Sequence, residues 1–277
     1  MKQAARLHDV TSHGGSVDGA SDDVDVNGSG AARLGDHHAC PQTAPSAHKG
    51  GRIRFGAGAA LTVLVNNRPA AARDAALGCL ESGAIPANVI VDGSSTVFYS
   101  VTNSLGGLAV VEDSDGNLHI GKNIVIQGGS EYQALLLADF AEMASTEIGK
   151  RWLVEREASK YPLTIVPWDK KSRNAEARAD DGRTASNGTG CPSTVAYSPH
   201  MWPPSPGAQP VSTGATRDVI LFHELTHAEH QARGKQDMTK RSDDFDNQEE
   251  FNTIEGDEND YRHQRGISQE RHTHHGI

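Results

Sequence analysis

Val219-Ile220-Leu221-Phe222-His223-Glu224-Leu225-Thr226-His227-Ala228 is the stretch on which the reading of this chain turns. Thr216 or Asp218 can start a helix there, four apolar residues precede the first histidine, and the core reads His-Glu-x-x-His. Residues four apart on a helix differ by about 40° around the axis, so His223 and His227 leave from one face and can share a single zinc ion. Glu224 lies beside them, placed to take a proton from a water whose pKa the metal has lowered and to pass it to a leaving amine. That chemistry implies hydrolysis of a peptide bond. An exposed His-rich helix, the competing reading, gives the apolar run before His223 no purpose.

A catalytic zinc keeps three protein ligands and one open position. Glu249, Glu250, Glu255 and Glu258 are candidates for the third, on a second helix expected from about Asn247 to Arg265, and spacing does not choose among them. His230 shares the face of the pair but stands about 4.5 Å further along the axis than His227, which suits a supporting residue better than a ligand. A metzincin would continue with glycine at position 230 and histidine at 233; His230 and Arg233 exclude that subclass.

His223 to His230, with Gly234 after it, resembles the HELxHAxHxxxG block of the clostridial neurotoxin light chains. Glu249-Glu250-Phe251-Asn252-Thr253-Ile254, followed by Glu258-Asn259-Asp260-Tyr261-Arg262, is similar to that family's EELRTF and ENEFR stretches. The same region resembles the NleD-like zinc proteases that bacterial pathogens inject into host cells, and the short chain with its polar N-terminus favours these injected effectors. The resemblance spans about Glu131 to Arg265 in arrangement and is sharp from Val219 to Arg262. It implies an α+β, gluzincin-like zinc metalloprotease with Zn2+ held by His223, His227 and Glu250, and with Glu224 as general base. Glu249 and Glu258 then stand behind the ligands and support them. It also implies type III secretion into the host cytoplasm and a host signalling protein as substrate, kinases cut in their activation loops being the precedent. The toxins place an arginine and a tyrosine for the transition state well downstream, whereas this chain ends at Ile277. Tyr261, Arg262 and Tyr197 are therefore the candidates for holding the oxyanion. The gap between the two blocks is also shorter than in the toxins, which leaves substrate choice open.

Upstream, Ser130 can cap a helix in which Tyr132, Leu135, Leu136, Phe140, Met143, Ile148 and Trp152 recur at helical spacing, with Gly149 weakening the end. Short β-prone runs from Asn88 to Ile126 read as meandering antiparallel strands, with a hairpin turn rather than a calcium loop at Asp113 to Asn117. Leu163 to Val166 reads as a strand, Asp169 to Gly190 as a mobile surface loop, and Met201 to Gly214 as irregular. Thr194 to Ser198 is a strand with the option of pairing, as a sheet edge, with an extended peptide. Ile53 to Gly83 has no clear period, although Ala70 to Leu80 allows a short helix. Thr239 to Asp246 reads as a solvated loop.

The first 51 residues are Ser, Gly, Asp, His and Ala with few large apolar side chains, and are expected to be a disordered segment for secretion and translocation, a secretion chaperone being among the expected partners of the chain. His37, His38 and Cys40 lack a convincing fourth metal ligand. Residues 52–266 are then the protease domain and 267–277, with His272, His274 and His275, a flexible tail. The chain has 277 residues and a formal charge of −10, which argues against broad binding to nucleic acid or anionic membrane. No apolar run approaches the roughly 20 residues of a membrane span. Three widely spaced cysteines suit a reducing compartment rather than a disulfide framework.

Overall fold

The computed structural model describes residues 1–43, 49–80, 87–168, 174–200 and 215–273. It divides into two compact units, one of Met1–Gly116 with Gly128–Ala141, the other of Asn117–Gln127 with Glu142–Ile277. This replaces the expected division at residues 51 and 266.

The expectation of disorder in residues 1–51 is corrected: the described part forms the strands Lys2–Gln3, Ser16–Val17, Asp25–Val26, Ser29–Gly30, His37–Ala39 and Lys49–Ile53. Three turns of one build organise this unit, at Arg6 to Asp9, Arg33 to Asp36 and Ala72 to Ala75. Each has its third residue in the left-handed region, His8 at φ 71°, Gly35 at 84° and Asp74 at 70°. The alanines that lead into them close a ring of backbone hydrogen bonds. Ala5 N–H donates to Ala71 O at 3.0 Å, Ala71 N–H to Ala32 O at 2.8 Å, and Ala32 N–H to Ala5 O at 3.0 Å. Beyond the ring, the amides of His8, Gly35 and Asp74 donate to the carbonyls of Val17, Ile53 and Ile90, each at 2.8 Å. The unit thus repeats one set of bonds three times about a pseudo-threefold axis. Ala4, Ala5, Ala31, Ala32, Ala70, Ala71 and Ala72 are fully buried, because only small side chains fit where backbones meet this closely. Composition counted the missing large residues and overlooked that backbone pairing can close a core of small ones. The short helix allowed at Ala70 to Leu80 is likewise absent; the strands Arg68–Ala71 and Ala76–Leu80 occupy that stretch.

The long helix expected from Ser130 breaks into α1 (Ser130–Ala144) and α2 (Glu147–Ala158). Thr146 makes the elbow: its hydroxyl donates to Met143 O at 2.8 Å and accepts from Gly149 N–H at 3.0 Å. A Cβ on Gly149 would lie 2.1 Å from Met143 O, so the glycine that weakens the helical period is what the elbow requires.

In the second unit the strand order is Leu118–Ile120, Ile124–Ile126, Leu163–Pro167, Ser193–Tyr197, Ala175–Ala179. The expected antiparallel meander is only partly present. Ile124–Ile126 and Ser193–Tyr197 both run parallel to Leu163–Pro167, and α1 and α2 form the crossover between the first two of these strands in chain order. Part of the expected loop Asp169 to Gly190 is the edge strand Ala175–Ala179, antiparallel to Ser193–Tyr197. The edge role offered to Thr194 to Ser198 therefore passes to 175–179. Against these strands lies α3 (Arg217–Ala232), followed by α4 (Gln248–Thr253), a π-helical turn (Ile254–Glu258) and α5 (Asn259–Gln264). Met201 to Gly214 lies outside the described residues. Among those described, no helix is long and apolar enough to cross a membrane.

Candidate active site

One face of α3 is buried through Val219, Leu221, Phe222, Leu225 and Ala228. Trp152 Nε1–H donates to Leu225 O at 3.2 Å, and Phe222 stacks on Tyr261 with centroids 4.3 Å apart. That packing turns His223, Glu224 and His227 toward a cleft of about 660 Å³, whose wall also includes Ala177, Glu249, Glu250, Glu258 and Arg271.

The two imidazoles stand edge to face at 89°, with their Nε2 atoms 3.0 Å apart. His223 Nδ1 lies 2.8 Å from Glu258 Oε2, and His227 Nδ1 2.8 Å from Glu249 Oε1. Glu250 faces both rings, Oε2 3.4 Å from His223 Nε2 and Oε1 3.5 Å from His227 Nε2. Asn247 caps α4 by accepting from Glu250 N–H at 3.0 Å, which fixes where this carboxylate leaves the helix. On an unbroken α-helix Glu249 and Glu258 would sit about 180° apart; the π turn takes up one residue and cuts that to about 80°, so both reach α3.

Glu249 Oε1 also accepts from His230 Nδ1 at 2.8 Å, and Oε2 from Asp237 N–H at 3.1 Å. His230 thus supports a supporting carboxylate. Glu258 Oε1 accepts from Arg262 Nε at 2.7 Å, and Oε2 from Arg271 Nη1 at 3.1 Å.

Burial opposes charge throughout this cluster, and the mutual hydrogen bonds outweigh it. Bonds from the histidines hold Glu249 and Glu258 at about 2 against desolvation, and lower Glu250 further. Against the same desolvation, Glu249 and Glu250 lift His227 to about 10, and Glu250 and Glu258 raise His223. The raised values favour protonated rings, whose Nδ1–H groups face Glu258 and Glu249; a metal that displaces the Nε2 protons then finds both Nε2 atoms and the Glu250 carboxylate turned to one point. His223, His227 and Glu250 can each offer a ligand atom within 4.8 Å of the others, and their donor types suit zinc.

Glu224 Oε2 accepts from the amide N–H of Ala177, on the edge strand, at 2.7 Å. The register leaves the backbone groups of Ala175, Ala177 and Ala179 facing away from Ser193–Tyr197. This contact was beyond sequence reasoning, because a backbone amide carries no residue signature.

The structure does not bring the three oxyanion candidates to the cleft. Tyr261 is fully buried and its hydroxyl donates to Asp218 Oδ2 at 2.7 Å, an atom that also accepts from Arg265 Nε. Arg262 is fully buried against Glu258, and Tyr197 donates to Arg217 O at 3.0 Å. The two tyrosines tie neighbouring elements together, and Arg262 holds Glu258. Among the described residues, the arginine that lines the cleft is Arg271, in the stretch that reads from sequence as a flexible tail. Cys40 meets neither His37 nor His38 as a metal ligand. Its sulfur lies 3.8 Å from His13 Nδ1, and Cys79 Sγ 3.9 Å from the same nitrogen, three ligand-type side chains each four residues past a repeated turn position.

Residues 121–273, more than half of the chain, match the model of the M91 peptidase family, described as effector proteins. The chain belongs to that family. The match begins inside the second unit and takes in α1 through α5 with the whole histidine and carboxylate cluster, so this M91 member is a peptidase-family effector whose site lies within the matched span. Residues 7–50 match the PAAR motif, within the pseudo-threefold unit. No curated protein and no solved structure matches the chain.

Proposed function

We propose that this M91 effector is a zinc-dependent endopeptidase that cleaves an intracellular host protein. The observation that carries the reading is the convergence of His223 Nε2, His227 Nε2 and the Glu250 carboxylate, with Glu224 beside them in one cleft. Zinc, when bound, would supply Lewis acidity that makes a water acidic near neutral pH and polarises a peptide carbonyl. Glu258 and Glu249 hold the two imidazoles in the tautomer that presents Nε2, and Glu250 adds the negative charge that balances a divalent cation. Glu224 accepts the proton of the attacking water and returns it to the amine that leaves, while the Ala177 amide fixes where its carboxylate waits.

The type III route comes from the family resemblance, with a disordered N-terminal segment expected to carry the export signal. With residues 1–43 folded, the proposal keeps secretion and action in the host cytoplasm and assigns delivery to the N-terminal unit that matches the PAAR motif. Signalling kinases are the substrate class to examine first. The test is Glu224→Ala compared with wild type in host lysate, with new N-termini labelled and identified. Fragments made by wild type and absent from the variant, at equal zinc content, support the reading; equal fragments from both, or none from either, overturn it. An effect on host cells that survives Glu224→Ala would indicate docking to a host target or sensing by host immunity instead.

A further inference from the structure

We infer that Ile267–Thr273 is a strap belonging to the active site, with Arg271 as a positioning residue for the zinc ligand His223; the inference rests on the zinc-peptidase reading above. After α5 the chain reverses at Gly266, at φ 73°, and Ile267 N–H donates to Arg262 O at 2.9 Å. Arg262 Nη1 donates to Gln269 O at 3.3 Å. Asn259 then grips the strap from both sides, its Nδ2 donating to Arg271 O at 2.9 Å and its Oδ1 accepting from Arg271 N–H at 2.8 Å. These bonds deliver the Arg271 side chain to the cleft, where it is the only Arg or Lys among the described residues of the wall.

Its Nη1 lies 3.1 Å from Glu258 Oε2, the same oxygen that His223 Nδ1 reaches at 2.8 Å. With Arg262 on Oε1, the carboxylate is pinned at three points and cannot swing away from the imidazole. A ligating histidine is only as well aimed as the group on its second nitrogen, and loss of such support typically weakens metal binding by 10–100-fold. Charge alone works the other way, because a guanidinium near a divalent cation repels it. The sign of the effect therefore separates a positioning role from a bystander charge.

The test is zinc affinity of the full chain, by competition with a chromophoric chelator. The relevant equivalent is the one that His223→Ala removes. Arg271→Ala should bind zinc about tenfold more weakly, with the melting temperature of the metal-free protein unchanged. Asn259→Ala should weaken binding in the same direction although it keeps the charge, and Arg271→Lys should recover part of the loss. Unchanged or tighter binding in both Arg271→Ala and Asn259→Ala overturns the inference. Equal zinc in wild type and His223→Ala would mean that the zinc reading itself has failed.

Discussion

The two units solve the problem of a core by different means. The N-terminal unit closes a ring of backbone hydrogen bonds through Ala5, Ala32 and Ala71 and packs Ala4, Ala31, Ala60 and Ala70 beside Val26 and Val65. The second unit buries larger side chains, among them Trp152, Phe222, Leu225 and Tyr261, together with charged groups that include the carboxylates and imidazoles behind His223 and His227. A helix-borne core tolerates a cluster of buried charge, provided every member has a partner.

Truncation should break this comparison most visibly. Leu225→Ala, at a fully buried position under the His-Glu-x-x-His helix, should cost about 2–5 kcal/mol and lower zinc occupancy with it, read by thermal unfolding and metal analysis. Overpacking should do in the first unit what truncation does in the second. Ala71→Leu should destabilise the pseudo-threefold ring by about 1–3 kcal/mol and leave zinc at His223 and His227 in place, so a variant that folds and binds as wild type would argue against the closed ring. Removal of zinc by a chelator should lower the melting temperature of the second unit and not of the first, followed by hydrogen exchange. Tyr261→Phe sharpens the assignment of that residue to packing. It should cost about 1–2 kcal/mol through the stranded Asp218 bond while cleavage by the folded protein persists; loss of turnover at full stability would return Tyr261 to the chemistry. The smallest effect is expected at the elbow, where Thr146→Ala removes the cap of α2 and about 1 kcal/mol.

The site was more legible in the sequence than the fold around it. Imidazoles four apart on a helix have a fixed geometry, so His223, Glu224 and His227 could be placed before any coordinates. Spacing did not separate Glu250, which faces both rings, from Glu258, because the π turn at Ile254–Glu258 shifts the phase of Glu258 against Glu249 and Glu250 in a way that composition does not reveal. Arg271 and the Ala177 amide were invisible for opposite reasons, the first because it sits among polar residues that read as tail, the second because it is backbone. The N-terminal unit misled by its lack of large apolar residues. The signal was present as a repeat, Ala5-Arg6-Leu7-His8-Asp9 against Ala32-Arg33-Leu34-Gly35-Asp36, with Arg6 and Arg33 each bonded to the aspartate that follows. Hydrophobic periodicity does not detect a turn that recurs at irregular intervals.

The central claim is that His223, His227 and Glu250 hold zinc, and metal analysis by mass spectrometry of purified wild type, His223→Ala and Glu250→Ala tests it most directly. Each variant should carry one zinc equivalent fewer per chain than wild type. Equal zinc content in all three, after reconstitution, would contradict it.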